Sequence, residues 1–352
     1  MRAGTRLAIQ HLLMRRIPAL TIQGHPPLDE LRVVALGGGT GLPIVLEGLK
    51  DALLADGGAA RPESDRDRLT AVVTVLPPVD VRNCLLALAD RGDEMSGHSL
   101  GNLILTALSR LEKDFSKAIE LGSEILGVRG RVVPATTEDV RLRAELADGS
   151  WIEGESQISS VPRTIRSVFL EPQHPKPYAG AVEAALRADL VVIGPGSLYT
   201  SLIPVLLVRE LTDAIRRSGA RVVLVMNLTT EPGETDGYTA ADHLLAIRRH
   251  APDMPIHDVL LNATPIPGKL VRAYSAARAV PVSPDVELLR ALGYRPVMRD
   301  LLRRDAKIRH DPHKLADAIL GLVGKGSAGH RAPLGDAGHA TVGDPAAVMP
   351  RW

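Results

Sequence analysis

The apolar positions of this chain fall into short runs of strand length, separated by segments with helical spacing. The runs cover residues 32–36, 69–75, 189–194, 221–227 and 256–262. Between them, apolar residues recur at helical intervals, as in LPIVLEGLKDALLAD and LIPVLLVRELTDAIRR. Continuous apolar strands that alternate with helices are typical of a parallel sheet covered on both faces. With right-handed crossovers, the pattern predicts a doubly wound, Rossmann-like, mostly parallel α/β fold.

One segment breaks this rhythm. Residues 131–156 alternate polar and apolar positions, and Asp148-Gly149 has the composition of a hairpin turn. We expect a small antiparallel insertion here, or alternatively an edge strand of the main sheet. The Rossmann-type domain is predicted over 31–325, after a short amphipathic extension over 1–30. The tail over 326–352 is rich in glycine, alanine and proline without periodicity, which favours disorder.

Composition narrows the class of protein. The 352 residues carry a net charge of +1, and aromatic residues make up 3%. A near-neutral chain with few aromatic side chains gives no case for nucleic acid as a partner. No apolar stretch is long enough to predict a membrane span. The single cysteine, Cys84, excludes a disulfide framework and is compatible with the cytoplasm, where we expect this protein.

Glycine-rich segments follow two of the predicted strands, at the edge where such sheets bind ligands. The first glycine loop consists of Gly37, Gly38, Gly39, Thr40 and Gly41. It matches neither GxGxxG nor a Walker loop, so phosphate binding competes with a plain strand–helix turn. The second glycine loop contains Gly194, Gly196 and Ser197, and Ser197 is either a phosphate ligand or a helix N-cap. Two such loops in one sheet favour a nucleotide diphosphate over a single phosphate.

A polar loop follows the strand at 221–227. It begins at Asn227 and contains Asp236, which is a candidate for a metal or a ribose hydroxyl. The alternative is helix capping by Thr235 or Thr239. We expect His243, on the next helix, to lie at the surface.

Further polar positions stand at other turns and helix starts. His98, Ser99 and Asn102 are candidate ligand contacts, and a Ser–His hydrolase is disfavoured because no GxSxG elbow is present. Asn83 either reaches a base or sugar or acts as a cap. Cys84 is more typical of a core residue than of a nucleophile. Arg309 is a candidate anion clamp, and Asp311 before Pro312 is typical of an N-cap.

Several of these segments, taken together, resemble one family. In order along the chain they are GGGTGL, LPPVDVRNCLLALAD, GHSLGNLILTAL, VRGRVVPAT, GESQI, GPGSLYTSLIP, NLTTEPGETDGYTAADH and RHDP. They are similar to the gluconeogenesis factor family of the YvcK type, which is related to 2-phospho-L-lactate transferase (CofD). The resemblance covers about residues 31–323, and GETDGYTAADH together with GHSLGN is its most specific part.

The resemblance implies a CofD-like fold and binding of UDP-sugars such as UDP-N-acetylglucosamine. It also implies a role in cell shape, wall synthesis and growth on gluconeogenic carbon, with a cell-wall or regulatory protein as partner. The site residues carried over from the family are both glycine loops, Asn83, His98, Asn102, Asn227, Asp236 and Arg309. We also expect a homo-oligomer, without a motif that fixes the number of subunits.

The sequence departs from the family pattern at four places. An acidic glycine- and serine-rich loop is missing between Val75 and Leu76, and the segment between Ala89 and Gly97 is short. Val79 replaces a glycine, and Pro312 stands where some relatives carry a phosphorylated threonine. The missing loop helps to bind metal in the transferases, so its loss argues against Mg²⁺-dependent transfer. The alternatives to a nucleotide-sugar sensor are therefore a phospholactate transferase and a family member that acts only through protein partners.

Overall fold

The computed structural model describes residues 26–54, 66–74, 78–89, 115–160 and 163–323. The strands in these ranges are β1 (Val33–Gly37), β2 (Leu69–Val73), β3 (Arg131–Pro134), β4 (Arg141–Leu146), β5 (Trp151–Glu153), β6 (Ile165–Glu171), β7 (Leu190–Ile193), β8 (Arg221–Val225), β9 (Asp258–Asn262) and β10 (Arg295–Arg299). The helices are α1 (Gly41–Leu53), α2 (Pro78–Leu88), α3 (Phe115–Ile125), α4 (Glu155–Ser160), α5 (Ala179–Arg187), α6 (Ile203–Leu206), α7 (Arg209–Ser218), α8 (Ala240–His250), α9 (Gly268–Ala276), α10 (Val286–Ala291) and α11 (Pro312–Val323). A π-helical turn, Leu198–Leu202, leads into α6.

Seven strands form the main sheet, in the order β10-β9-β8-β7-β1-β2-β3. Every pair of neighbours in it is parallel, which confirms the fold class expected from the apolar runs. The sequence pattern did not predict β10, because its residues RPVMR contain two arginines and a proline. A proline is tolerated there because β10 lies at the edge of the sheet.

A second sheet is small and antiparallel, with the order β5-β4-β6. The predicted hairpin turn at Asp148-Gly149 joins β4 to β5. Two details differ from the expectation for 131–156. Residues 131–134 form the edge strand of the main sheet, which was the alternative interpretation, and β6 lies beyond the predicted limit. Adjacent apolar residues at Val168 and Phe169 obscure the strand alternation in β6.

Helices cover both faces of the main sheet. Val33 and Ala35 of β1 contribute to the core under α1, α2 and α11. Val34 and Leu36 contribute to the core on the opposite face, which contains residues of α5, α7 and α8. A strand buried on both faces has to be apolar throughout, and this explains why the sequence revealed β1 so clearly. None of the helices in the described ranges is long and apolar enough to cross a membrane.

The order of the strands creates a crevice at the centre of the sheet. From β1 the chain proceeds through β2 to β3 at one edge, and later from β7 through β10 to the other edge. The direction of winding therefore reverses between β1 and β7. In open α/β sheets, ligands bind beyond the carboxyl ends of the strands at such a switch point.

Candidate functional site

The two glycine loops meet at this switch point. A methyl group at Gly41 would lie 2.1 Å from the carbonyl oxygen of Pro195, so the first loop packs backbone to backbone against the second. The first loop, Gly37 to Gly41, connects the end of β1 to the start of α1. The second loop follows β7 and contains Gly194, Gly196 and Ser197. The prediction that both loops follow strands of one sheet is confirmed.

The first glycine loop leads into a helix whose start is open. Gly39 has a φ of +66°. Its N–H donates to Oδ2 of Asp80 at 2.6 Å. The side chain of Thr40, the N-cap of α1, makes no capping hydrogen bond, and the first turn of α1 contains no acidic residue. With no acid in this turn, the dipole of the helix favours an anion at this position.

Asp80, which the sequence reasoning missed, lies beside the first loop. It is buried, and burial raises the pKa of its carboxyl group although the hydrogen bond from Gly39 opposes the shift. The charge of Asp80 also affects the pKa of Glu155 on α4. Burial and the negative charge of Asp80 raise the pKa of Glu155 to about 7. The sequence offered little reason to assign Asp80 and Glu155 to the site, because a lone acid near a helix start usually serves as a cap.

The second glycine loop is held by side chains that follow β8. Asn227 accepts from the N–H of Gly196 at 3.0 Å and donates to the Gly196 carbonyl at 2.9 Å. The Ser197 hydroxyl donates to Oε1 of Glu231 at 2.7 Å. Ser197 stands at the N-cap position of the π-helical turn but makes no side-chain capping bond. The polar groups of Asn227 and Ser197 are thus engaged within the protein.

Glu234 caps the turn behind this loop. Its Oε2 accepts from the N–H of Tyr199 at 3.0 Å, and its Oε1 accepts from the Thr200 hydroxyl at 2.6 Å. Burial and the nearby charge of Glu231 raise the pKa of Glu234 to about 7. Sequence reasoning missed both glutamates. Their signal was a pair of acids in the polar loop that follows a buried strand.

The polar side chains in the rest of the β8–α8 loop bond within the loop, to a neighbouring arginine and at the start of α8. Asp236 accepts from the N–H of Gly233 at 2.7 Å and pairs with Arg278 at 3.1 Å. Thr239 caps α8 in a capping box with Asp242, as the alternative interpretation expected. The expectation of a surface position for His243 is wrong, because its side chain is buried and bonds the carbonyl of Thr239.

Two predicted positions lie on α2. Asn83 accepts two hydrogen bonds from Arg82, at 3.1 Å and 2.7 Å, and so is not a helix cap. Cys84 is fully buried, and burial raises the pKa of its thiol, which confirms a core residue. The other predicted site residues, His98, Ser99 and Asn102, lie outside the described residues, as do positions 75–77.

Arg309 lies on the segment between β10 and α11. It forms an ion pair with Asp305 and is partly exposed. The next residue, His310, is buried and hydrogen-bonds the backbone of Met226, which directly precedes Asn227. This contact brings the Arg309 segment to the carboxyl edge of the sheet. Asp311 accepts from the N–H groups of His313 and Lys314, which confirms it as the cap of α11.

A metal ion held mainly by protein side chains needs several ligands close together. No group of three or more His, Cys, Asp or Glu residues in the described ranges is arranged to hold a metal. Asp80 already uses one oxygen on Gly39. The described residues therefore contain no ready cluster of metal ligands, whereas Mg²⁺ is usually held by one or two carboxylates together with substrate phosphates.

A parallel sheet with two abutting glycine loops at its switch point defines the class of Rossmann-like folds. Comparison with known proteins then gives the family. The model of the CofD family, described as 2-phospho-L-lactate transferase CofD, matches residues 33–302. The chain belongs to the gluconeogenesis factor branch of this CofD-like family.

Relatives and solved structures agree with this assignment. The chain is 41% identical over 311 residues to the gluconeogenesis factor of Listeria innocua, covering 83% of this chain and 95% of the relative. It is 38% identical over 317 residues to the gluconeogenesis factor of Bacillus subtilis, covering 83% and 98%. A crystal structure of a UPF0052 family member from Bacillus halodurans superimposes with a TM-score of 0.74 at 37% identity, covering 82% of this chain and 99% of that one.

Proposed function

We propose that this chain is a cytoplasmic regulatory protein that binds a nucleotide sugar of the UDP-N-acetylglucosamine type. The observation that carries the proposal is the contact between the two glycine loops at the switch point. Through this ligand the protein would serve cell shape, wall synthesis and growth on gluconeogenic carbon. The name shared by its relatives supports the last of these roles.

The proposed binding mode follows from the donors around the loops. The phosphates lie at the open start of α1, where the backbone of the first loop and the helix dipole stabilise negative charge. Arg309 closes over them as a charged donor. Asp236 is 40% exposed in its ion pair with Arg278 and takes ribose or sugar hydroxyls with its remaining acceptor capacity. Asn227 contributes by holding Gly196. The bound ligand then favours one conformation or assembly, which a protein partner or a second copy recognises.

The test is a pair of glycine substitutions with equal backbone strain. Gly39 and Gly219 have φ values of +66° and +69°. A methyl group at Gly39 would lie 3.6 Å from the Ser201 hydroxyl and 4.0 Å from the Ser197 nitrogen, whereas one at Gly219 would contact nothing within 4 Å. Both G39A and G219A should lose about 1–2 kcal/mol of stability, the cost of a left-handed conformation. G39A alone also fills the space between the loops.

We expect G219A to bind UDP-N-acetylglucosamine like the unmodified protein in isothermal titration calorimetry. G39A should bind at least about tenfold more weakly, which corresponds to about 1.4 kcal/mol. Equal affinities of the two variants would contradict binding between the loops.

A second candidate is Mg²⁺-dependent transfer of a phospholactate group to a deazaflavin. It is favoured by the description of the family model that matches residues 33–302. Incubation with a phospholactate nucleotide, a deazaflavin acceptor and Mg²⁺ would decide this question by product analysis. A metal-dependent product would show that the protein is a transferase, contrary to the proposed role as a sensor. A stable protein that neither reacts nor binds any nucleotide would instead act only through protein partners.

A further inference from the structure

We propose that Glu234 is a positioning residue that fills the helix start behind the second glycine loop with a built-in carboxyl group, and so directs the ligand phosphates to the first loop. This inference rests on the proposed function for its ligand. The two loops then have different roles. The first loop neutralises phosphate charge, whereas the conformation of the second loop is fixed by hydrogen bonds within the protein.

The position of Glu234 supports this role. Its carboxyl group accepts from the Tyr199 N–H and the Thr200 hydroxyl, and it is 3% exposed. An N–H at the start of a helical segment is a usual ligand for phosphate. Here the donor at Tyr199 is occupied by a group of the chain itself. A phosphate at this position would lose that donor and lie beside a carboxyl group.

Neighbouring side chains fix the rest of the same loop. Asn227 holds both backbone groups of Gly196, and Glu231 accepts from the Ser197 hydroxyl. The segment 227–234 thus bonds consecutive residues of the loop. The two glutamates lie in a tight turn of the chain. Within it, the Thr235 hydroxyl accepts from the Glu231 N–H at 2.8 Å.

The two loops differ in how their helices start. The first turn of α1 contains no acidic residue and no side-chain cap, whereas Glu234 occupies the start of the helical segment after the second loop. Asp80 bonds the first loop at Gly39, ahead of the helix. A diphosphate that spanned both helix starts, as two glycine loops suggest, would face the carboxyl group of Glu234 at one end. The geometry therefore favours phosphate binding at α1.

The inference is carried by the hydrogen bonds of one buried acid. Removing a buried acceptor leaves its donors unpaired, at a cost of about 1–3 kcal/mol. If Glu234 had only a structural role, its removal would lower the stability and have no further effect on anion binding. A positioning role adds a second consequence: the vacated helix start becomes available to external anions.

The test compares Glu234→Ala with Glu234→Gln, and uses Glu210→Ala as the matched control. Glu210 is also an acid near a helix start, in the first turn of α7, but it is exposed. Titration calorimetry measures the binding of UDP-N-acetylglucosamine and of inorganic pyrophosphate, with sodium formate or sodium chloride in the buffer. Thermal unfolding of each variant without nucleotide is measured in the same buffers.

We expect E234A to bind UDP-N-acetylglucosamine about tenfold more weakly, the loss typical of hydrogen bonds to a charged group. Formate should restore part of this affinity, and raise the unfolding temperature of E234A more than that of the unmodified protein. E234A should also gain a pyrophosphate site that formate blocks. E234Q should gain no such site, because its amide group still fills the space, and E210A should behave like the unmodified protein.

Two outcomes would overturn the inference. One is that formate changes the unfolding temperature of E234A and of the unmodified protein equally. The other is that E234A gains no pyrophosphate site and keeps full affinity for the nucleotide sugar. If E234A does not fold, unchanged nucleotide-sugar affinity in E234Q counts against the inference, and weakened affinity without an added pyrophosphate site supports it. If the unmodified protein binds no nucleotide sugar, the proposed function fails, whereas the formate and pyrophosphate results still decide the role of Glu234.

Discussion

Asp305 lies between two arginines for which our account predicts different effects. It pairs with Arg309 and, at 3.5 Å, with Arg303, and the two arginine side chains are 43% and 44% exposed. Arg309 directly precedes His310, which bonds the backbone of Met226 at the site. The two arginines therefore share a partner and a degree of exposure, and we assign only Arg309 to the ligand.

Arg309→Ala should weaken the binding of UDP-N-acetylglucosamine about tenfold, because a charged donor to phosphate contributes roughly 1.5–3 kcal/mol. Arg303→Ala should change the dissociation constant by less than about twofold, since removal of an exposed ion pair costs little. Titration calorimetry of both variants at one salt concentration measures the difference. Equal losses of affinity would point to Asp305 and the fold of this segment instead of the ligand.

At the scale of single residues, the sequence indicated positions better than contacts. Gly39, Ser197 and Asn227 were found because they follow buried strands. The partners of their donors lie 41, 34 and 31 residues away in the chain, in Asp80, Glu231 and Gly196. Which polar groups bond within the protein depends on packing between distant segments, and no local pattern reports it. For the same reason the burial of His243 was not foreseen.

At the scale of elements, the free edge of β6 is covered by the end of α8. β6 pairs with β4 on one side only. On the other side, the N–H of Val168 donates to Nε2 of His250 at 2.9 Å, while Nδ1 of His250 donates to the carbonyl of Ala246 at 2.8 Å. This arrangement needs the neutral ring, and burial lowers the pKa of His250 accordingly. Arg249 of the same helix also donates to the carbonyl of Arg166 at 2.7 Å, so two side chains at the end of α8 occupy a strand edge that would otherwise be open to pairing.

His250→Phe keeps an aromatic ring against Tyr199 but removes the acceptor of the Val168 N–H. An unpaired buried donor costs about 1–3 kcal/mol, so the free energy of unfolding should fall by that amount. His313→Phe, at an exposed position of α11, should change it by no more than about 0.5 kcal/mol. Urea denaturation of both variants makes the comparison, and an undiminished stability of H250F would show that the edge needs no cover.

The elements also show where pattern reading works. Strands buried on both faces, such as β1 and β7, stand out as continuous apolar runs. Edge strands have mixed composition, because solvent or another sheet faces part of their surface. β10 was missed for this reason, and β6 because its alternation is broken. Capping residues were predictable, since Thr239 and Asp311 act on neighbours three residues away or fewer.

At the scale of the whole molecule, stability should depend on pH through buried acids near the site. Burial raises the pKa of Glu155 and of Glu234 from 4.5 to about 7. The folded state then holds protons that the unfolded state releases, so this contribution is lost as the pH rises through about 7. Buried histidines with lowered pKa values act in the opposite direction, below their ordinary value of 6.5; they are His243, His250, His257 and His310.

Each of these glutamates should therefore contribute a downward slope to the free energy of unfolding as the pH is raised from about 6.5 to about 8, a contribution that the four histidines oppose while they lose protons in the unfolded state. Glu155→Gln should reduce this slope, whereas Glu287→Gln, at an exposed position, should leave it unchanged. Urea denaturation across this window tests the prediction. An E155Q variant with the same pH dependence as the unmodified protein would contradict it.

The fold class and the place of the site were the most predictable features of the whole molecule. Five buried strands with intervening helices define a parallel sheet, and the glycines after β1 and β7 mark its switch point. The order of the strands brings these loops together, and sequence order alone does not contain it. The buried carboxyl group of Glu234 behind the second loop is also a property of the assembled site, and without it the two glycine loops suggested a ligand that spanned both.

The most direct test of the central claim is a thermal-shift titration of the unmodified protein with UDP-N-acetylglucosamine, with and without Mg²⁺. NAD and GMP serve as controls, because they offer a different diphosphate and a single phosphate. Ligand at about 100 times its Kd should add roughly 2.7 kcal/mol to the stability of the folded state. A saturable shift with the UDP-sugar alone is the result that we predict. The absence of a shift with any nucleotide would contradict binding at the glycine loops and leave protein partners as the route by which this chain acts.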